Sequence, residues 1–419
     1  RGGRGWRSSS RAFSSAAAAG RDRVVTGLER LLEDGALARN VTRGEPTAIL
    51  AHAASVLPDL QHGVDALHDQ KRGKRGGGGG SSGAPVDLIA VLAPEHGFRG
   101  AKQAGHGDGE VFTDPRTGLP VHSIYNKSPE EIAKIVRRTG ARVVLVDLQD
   151  SGARFYTYIW TMYDVLVAAA SEHGSADPPL RVVVLDRPNP LGGAACRGPV
   201  LAANFSSGVG KRPLPMQHGL TVGELALLFN HEYVPLASAS PPGSKGRPAA
   251  LEVVSMRHWR RELTFPATGL PWVAPSPNLP TAQSALAYVG MGLMEGTCLS
   301  EGRGTTLPFE LTGAPFLDWK FADALRSERD LADVAMFREA YFVPTFSKFA
   351  NQTVAGVQVV VPDDPGADAI RVALHVIKAA RDAHPAKFTW VKSAGRYWID
   401  LLAGTDKVRK GLDAGEAVD

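Results

Sequence analysis

The chain is poor in cysteine: two in 419 residues, Cys196 and Cys298. That excludes a disulfide framework and a cysteine-based zinc site. No uninterrupted apolar run approaches the length of a membrane span. Charge of one sign is scarce outside the first residues. The formal net charge is +4, yet residues 1–23 alone hold six Arg against one acid, Asp22. The remainder is near neutral, which argues against a nucleic-acid-binding surface. Several catalytic signatures are missing as well. There is no Walker pattern, no Gly-x-Gly-x-x-Gly after the first strand and no His-Glu-x-x-His, so neither a nucleotide site nor that zinc site is expected. The Gly-x-Ser-x-Gly elbow of one serine hydrolase class is also absent. No cofactor and no metal is called for.

What remains is a chain that is 43% hydrophobic, enough for a sizeable core. Residues 1–23 are rich in Arg, Ser and Ala, like a mitochondrial or plastid transit peptide or, equally, a disordered basic tail that carries no address. Acceptor triplets at Asn40, Asn204 and Asn351 fit a secreted protein instead. The chain opens on Arg rather than Met, which reads as a fragment. Residues 71–85 combine Lys-Arg-Gly-Lys-Arg with a glycine run, a composition that cannot bury apolar surface. They are expected to form a flexible insertion.

Three continuous apolar runs, Leu88–Ala93, Val143–Val146 and Val182–Leu185, read as buried strands. Each ends in polar residues, and helical patterns separate them. Such alternation indicates a parallel sheet covered on both faces. In open sheets of this kind, ligands bind just past the carboxyl ends of the strands. The helices announce their starts: Ser128 with Glu131, and Thr221 with Glu224, are capping boxes. The spacing predicts further helices over 157–172 and 281–288. Beyond residue 280 the pattern changes, with a strand at 354–361 and a helix at 367–380. The fold class expected is α/β: a Rossmann-like parallel sheet domain over 24–280, with a second, smaller α+β C-terminal domain over 281–419.

The candidate chemistry sits on the polar turns. Pro94 breaks the first run, and Glu95, His96 and Arg99 follow between Gly97 and Gly100. A carboxyl group and an imidazole on such a turn suit acid–base work. The second run leads into Asp147, Gln149, Asp150, Arg154, Tyr156 and Tyr158; the third into Asp186-Arg187-Pro188-Asn189. A proline-rich connector carries Trp272 and Asn278. A glycine-rich stretch carries Glu301, Arg303 and Glu310. Carboxylates beside aromatics and arginines are the makings of a sugar site, where rings stack and an acid protonates the glycosidic oxygen. Each carboxylate has an alternative role as an ion-pair partner of Arg99, Arg154 or Arg303. Three acids in 108–114 (Asp108, Glu110, Asp114) do not match a calcium loop.

These motifs, in this order, resemble the NamZ-type exo-β-N-acetylmuramidases. They are Pro94-Glu95-His96-Gly97-Phe98-Arg99-Gly100, the 147–158 stretch, Asp186–Pro190, Pro275-Ser276-Pro277-Asn278, Ser300–Thr306 with Pro308-Phe309-Glu310, and Phe342–Lys348 with Gly356-Val357-Gln358. The resemblance spans roughly residues 24–412. It departs at 51–55, where the family has an Asn-x-Thr-Gly-like turn, at Arg197, where the family tends to have Glu, and at a C-terminus that reads as shortened. The resemblance implies a Rossmann-like domain plus a smaller C-terminal domain with the site between them. It implies release of terminal N-acetylmuramic acid from the non-reducing end of peptidoglycan fragments, with Glu95 as catalytic acid. Beside Glu95 stands His96, and the partner carboxylate stays open among Asp147, Asp150, Glu301 and Glu310, with Glu301 favoured. The arginines receive the lactyl carboxylate, and Tyr156, Tyr158 and Trp272 line the sugar. The alternative is a catalytically inactive sugar-binding protein of the same fold.

Overall fold

The computed structural model describes residues 23–73, 86–109, 111–171, 179–239 and 246–418. The transit-like segment up to residue 22, most of the glycine-rich insertion and Glu110 lie outside them. Among the described residues, nine strands build the first part of the chain: β1 Thr47–Ala51, β2 Leu88–Ala93, β3 Val111–Thr113, β4 Pro120–Ser123, β5 Val143–Asp147, β6 Arg181–Leu185, β7 Arg197–Val200, β8 Pro215–Gln217 and β9 Ala250–Val254. Seven of them form one sheet in the order β3-β4-β2-β1-β5-β6-β9. All its pairings are parallel except β3 with β4. Without β3, the six parallel strands run 3-2-1-4-5-6 in chain order, the doubly wound arrangement of dinucleotide-binding folds. The order reverses at β1, so the crevice at the carboxyl ends opens beside β1, β2 and β5. Strands β7 and β8 pair as a separate antiparallel ribbon.

The apolar runs are continuous because both faces are covered. Ala48, Leu50, Leu92, Val144, Val146, Val182 and Val184 point into one core, together with the helices Pro129–Thr139, Tyr158–Ser171 and Val222–Leu228. Their neighbours Ile49, Val91, Val143, Leu145, Val183 and Leu185 point into the other, under the helices Gly27–Glu33, Gly35–Thr42 and Gly63–Lys71. Period-two alternation thus separates two apolar faces rather than an apolar and a polar one. The capping boxes at Ser128 and Thr221 form as expected, and two more close on Thr26 with Glu29 and on Thr281 with Ser284. The helix after Thr221 runs to Leu228 and continues as a π turn over Phe229–Tyr233.

The C-terminal part holds a three-stranded antiparallel sheet, β10 Leu311–Ala314, β11 Met336–Phe342 and β12 Val354–Val360, in the order β10-β12-β11. The helix Ala282–Met291 packs against Ala369–Ala383, and Trp319–Ser327 covers β11 and β12. Its apolar side is continuous with the first core of the large sheet. The C-terminal part therefore packs directly on the parallel domain. Among the described residues, no helix is long and apolar enough to cross a membrane.

Candidate active site

A cavity of about 580 Å³ lies where the two parts meet. Its floor comes from the carboxyl ends of β2, β4 and β5, through Glu95, Tyr125 and Thr157. Its roof comes from the C-terminal part, through Glu301, Arg303 and Lys348.

Glu95 follows directly on β2. Pro94 ends the strand, and His96 and Gly97 both take left-handed backbone conformations, with φ of 69° and 77°. A side chain at 97 would collide with the Asp108 carboxylate, at 2.4 Å, so glycine is needed there for space as well as for backbone. The turn leaves Glu95 only 8% exposed. Each carboxylate oxygen is held: Gly105 N–H donates to Oε1 at 2.6 Å, and the Thr157 hydroxyl donates to Oε2 at 2.6 Å. Below it, the Tyr158 hydroxyl lies 3.1 Å from the Glu95 carbonyl oxygen and 3.0 Å from that of Pro275. Beside it stands the Tyr125 phenol, pushed up by burial and then by the Glu95 charge. His96 Nδ1 lies 3.1 Å from the Lys102 carbonyl, which can only accept, so that nitrogen carries the proton. Burial lowers the His96 pKa, with Glu95 opposing, which favours a neutral ring whose Nε2 is an acceptor.

The opposite wall is a charged cluster. Glu301 is 3% exposed. It accepts from Ser347 Oγ at 3.0 Å and has Lys348 Nζ 3.0 Å from its other oxygen. Arg303 Nε lies 3.7 Å away and its Nη2 pairs with Glu295 at 2.7 Å. Burial works against the Arg303 charge, but Glu295 outweighs it and holds the guanidinium protonated. The same guanidinium lies over the Phe309 ring, 5.0 Å from its centroid. Gly304 makes the cluster possible. Its α-carbon side faces the Phe346 backbone so closely that a Cβ would lie 2.6 Å from that carbonyl oxygen, and Thr345 N–H donates to Gly304 O at 2.9 Å. This docks the 345–348 segment, and with it Ser347 and Lys348, onto Glu301. Tyr156, Tyr288, Phe309 and Trp398 give the cavity its aromatic surface.

The structure gathers Glu95, His96, Tyr156, Glu301 and Arg303 of the predicted site around this cavity. The other predicted residues do not line it. Asp147 is held by both sides of the Arg187 fork, at 2.6 and 2.9 Å. Gln149 binds the carbonyls of Asp150 and Pro188. Asp150 accepts from Gly152 N–H and faces His218 at 3.1 Å. Arg154 donates to the carbonyls of Pro199, Leu214 and Leu402. Tyr158 is buried beneath Glu95. Asn189 spans Leu191 N–H and Leu220 O, Trp272 donates to Leu279 O, and Asn278 donates to Gln103. Arg99 pairs with Asp65 and Asp114 on the far side of the turn. Glu310 meets Thr281 at 3.4 Å, with burial raising its pKa. Of the three acids in 108–114, Asp108 accepts from Phe98 N–H and Asp114 binds Arg99, while Glu110 is outside the described residues. Among the described residues no cluster of three or more His, Cys, Asp or Glu is placed to hold a metal.

Other cavity residues escaped the sequence reading, among them Tyr125, Thr157, Tyr288, Lys348 and Trp398. Lys348 lies inside the Phe342–Lys348 stretch that carried part of the resemblance, and Thr157 sits between two tyrosines already singled out. Tyr125 follows a four-residue strand with no distinctive pattern.

Fold and site define a two-domain doubly wound α/β protein with an acid-bearing, aromatic-lined cleft at its switch point. Comparisons with known proteins place it further. Residues 47–283 match the family described as exo-beta-N-acetylmuramidase NamZ, N-terminal, and residues 286–419 match its C-terminal counterpart. The chain belongs to the NamZ family, a family of glycosidases. It is 38% identical over 397 residues, 95% of this chain and 86% of the relative, to the peptidoglycan beta-N-acetylmuramidase NamZ of Bacillus subtilis. Two crystal structures of DUF1343 family proteins from Bacteroides fragilis share the fold. One matches with a TM-score of 0.77 at 28% identity, covering 94% of this chain and 92% of that one. The other matches with a TM-score of 0.64 at 26% identity, covering 95% and 93%.

Proposed function

We propose that this protein is an exo-acting β-N-acetylmuramidase that releases terminal N-acetylmuramic acid from the non-reducing end of peptidoglycan fragments, with Glu95 as general acid. The observation that carries the reading is the Glu95 carboxyl group, fixed on both oxygens yet facing a sugar-sized cavity. In this mechanism Glu95 gives its proton to the glycosidic oxygen as the C–O bond breaks, so the leaving group departs as a neutral alcohol. Positive charge develops on the anomeric carbon. Glu301, across the cavity, is the carboxylate proposed to stabilise it. Water then adds to that carbon and its proton returns to a carboxylate. Arg303, the predicted arginine that reaches the cavity, is assigned to the lactyl carboxylate, for which a planar fork is the matching donor. Tyr156 is assigned to the sugar face. Asp147, Gln149, Asp150 and Arg154 are assigned to holding the frame.

Turnover of a chromogenic β-N-acetylmuraminide tests the reading. The wild-type protein is expected to hydrolyse it, and Glu95→Gln to lose about 10²–10⁴-fold in kcat, the usual worth of a positioned acid. Full-rate hydrolysis by Glu95→Gln would overturn the assignment. Tight binding without turnover by the wild type would favour the sugar-binding alternative. If Glu301→Gln leaves the rate intact, participation by the substrate's own acetamido group replaces the second carboxylate.

A further inference from the structure

A second cavity of about 480 Å³ adjoins the first, and Tyr125 lines both. On the far side of Tyr125 its wall is one face of the helix Pro129–Thr139. Glu131, Lys134, Ile135 and Arg138 stand at spacings of three and four, one above another. Lys127 joins them from the turn before the helix. Three cations therefore face the groove against two acids; Lys127 pairs with Glu131 at 3.6 Å, which leaves Lys134 and Arg138 as the cations offered to a ligand. Glu131 accepts from Ser128 N–H at 2.8 Å, and Asp108 accepts from Phe98 N–H at 2.7 Å. His122 also lines the groove, but burial lowers its pKa, so it contributes no charge at neutral pH. Lys134 and Arg138 are a like-charge i,i+4 pair, which costs helix stability unless an anion lies between them.

We propose that this groove is the subsite for the departing glycan and that it binds a carboxylate on the second sugar beyond the scissile bond. The proposal rests on the glycosidase reading above. A general acid must stand beside the leaving oxygen, so the leaving group lies on the Glu95 side of the cleft. Tyr125 is the cavity wall on that side, against Glu95, and the cationic groove begins immediately beyond it. In an alternating chain of N-acetylglucosamine and N-acetylmuramic acid, the first leaving sugar is neutral. The next one carries either a free lactyl carboxylate or the carboxylates of a peptide stem. The groove supplies cations where that second sugar arrives, and Val111 and Ile135 supply apolar surface for its lactyl or peptide carbons.

The experiment compares the wild type with Lys134→Ala/Arg138→Ala on three substrates: the chromogenic muraminide, a peptide-free tetrasaccharide of the alternating chain, and the same tetrasaccharide bearing peptide stems. Both side chains are exposed, so the fold is expected to survive. The variant is expected to turn over the chromogenic substrate within twofold of wild type and to lose about tenfold in kcat/KM on a tetrasaccharide. Raised salt should erode the wild-type preference for the tetrasaccharide and leave the variant's rate almost flat. Loss on the peptide-free chain identifies the lactyl carboxylate as the ligand, and loss only on the peptide-bearing chain identifies the stem. Equal loss on the chromogenic substrate and the tetrasaccharides, or loss on none, overturns the proposal. Should the wild type hydrolyse none of them, the glycosidase reading fails separately. The groove is then tested by tetrasaccharide affinity in calorimetry, where an unchanged Kd in the variant overturns it.

Discussion

Asp147 and Asp186 end successive parallel strands, are both buried, and receive different company. Asp147 meets the full fork of Arg187, so its charge is matched. Asp186 has neutral donors only: Gly223 N–H at 2.8 Å, the Thr221 hydroxyl at 3.1 Å and Arg187 N–H at 3.0 Å. Burial therefore pushes its pKa from 3.8 to about 6, against the pull of those donors. The consequence is a pH dependence of stability. Between pH 4 and 6 the folded chain keeps a proton at Asp186 that the unfolded chain has released. Folding stability from this residue is thus full below the unfolded value and falls as pH rises through the folded one. The shift corresponds to about 3 kcal/mol at 1.36 kcal/mol per pKa unit. Asp186→Asn keeps the shape, and its amide can donate to Thr221 Oγ. Urea unfolding at pH 4.5 and pH 7 is expected to show Asp186→Asn gaining on wild type at the higher pH. Parallel curves for the two proteins would show that Asp186 does not titrate in this window.

At the scale of elements, legibility followed burial and punctuation. β2, β5 and β6 could be read because a strand covered on both faces has no polar residue to blur it, and the Glu95 turn because proline and glycine bracket it. β11 escaped because it is a part-exposed edge strand, with Met336, Arg338 and Tyr341 in solvent and Phe337 and Ala340 inside. β3 and β4 are too short to carry a period, so Tyr125 and the groove behind it were invisible. The helix Ala282–Met291 was legible from Thr281 but not its closeness to Ala369–Ala383. That closeness depends on Gly290, where a Cβ would lie 1.7 Å from the Ala369 carbonyl oxygen. A helix interior favours alanine over glycine by about 1 kcal/mol. Here contact with rigid backbone reverses the sign, since forcing a core apart costs about 1–3 kcal/mol or more. Gly290→Ala is expected to lower the melting temperature in a thermal scan. A rise would mean that the two helices separate freely.

Across the whole molecule, the cavity exists only while the two parts stay joined, because Glu95 comes from one and Glu301 from the other. Arg154 is one of the residues that tie them, with Arg197 and Arg396. It follows β5 and is fully buried. Its guanidinium donates to Pro199 O in β7 and Leu214 O just before β8 at 2.8 Å each, and to Leu402 O at 2.6 Å on the helix Trp398–Ala403 of the C-terminal part. Those partners lie 45, 60 and 248 residues away, which is why Arg154 read from sequence as a ligand for the substrate rather than as a bracket. Burial lowers its pKa to about 10, so it remains charged at neutral pH, with carbonyl oxygens in place of a counter-ion. Leu402 and Trp398 also line the cavity, so the bracket sets the position of one of its walls. Arg154→Lys keeps a cation but lacks the planar fork that spans three carbonyls. Each buried carbonyl left without a donor costs about 1–3 kcal/mol. The lysine variant is expected to melt earlier and, at a temperature where it is still folded, to lose kcat/KM on the chromogenic muraminide by tenfold or more. It should also become sensitive to limited proteolysis between the two parts. Direct substrate contact by Arg154 predicts a different pattern: loss of kcat/KM with melting temperature and protease resistance unchanged. Measuring all three on one variant therefore decides whether this arginine holds the substrate or holds the two halves of its site together.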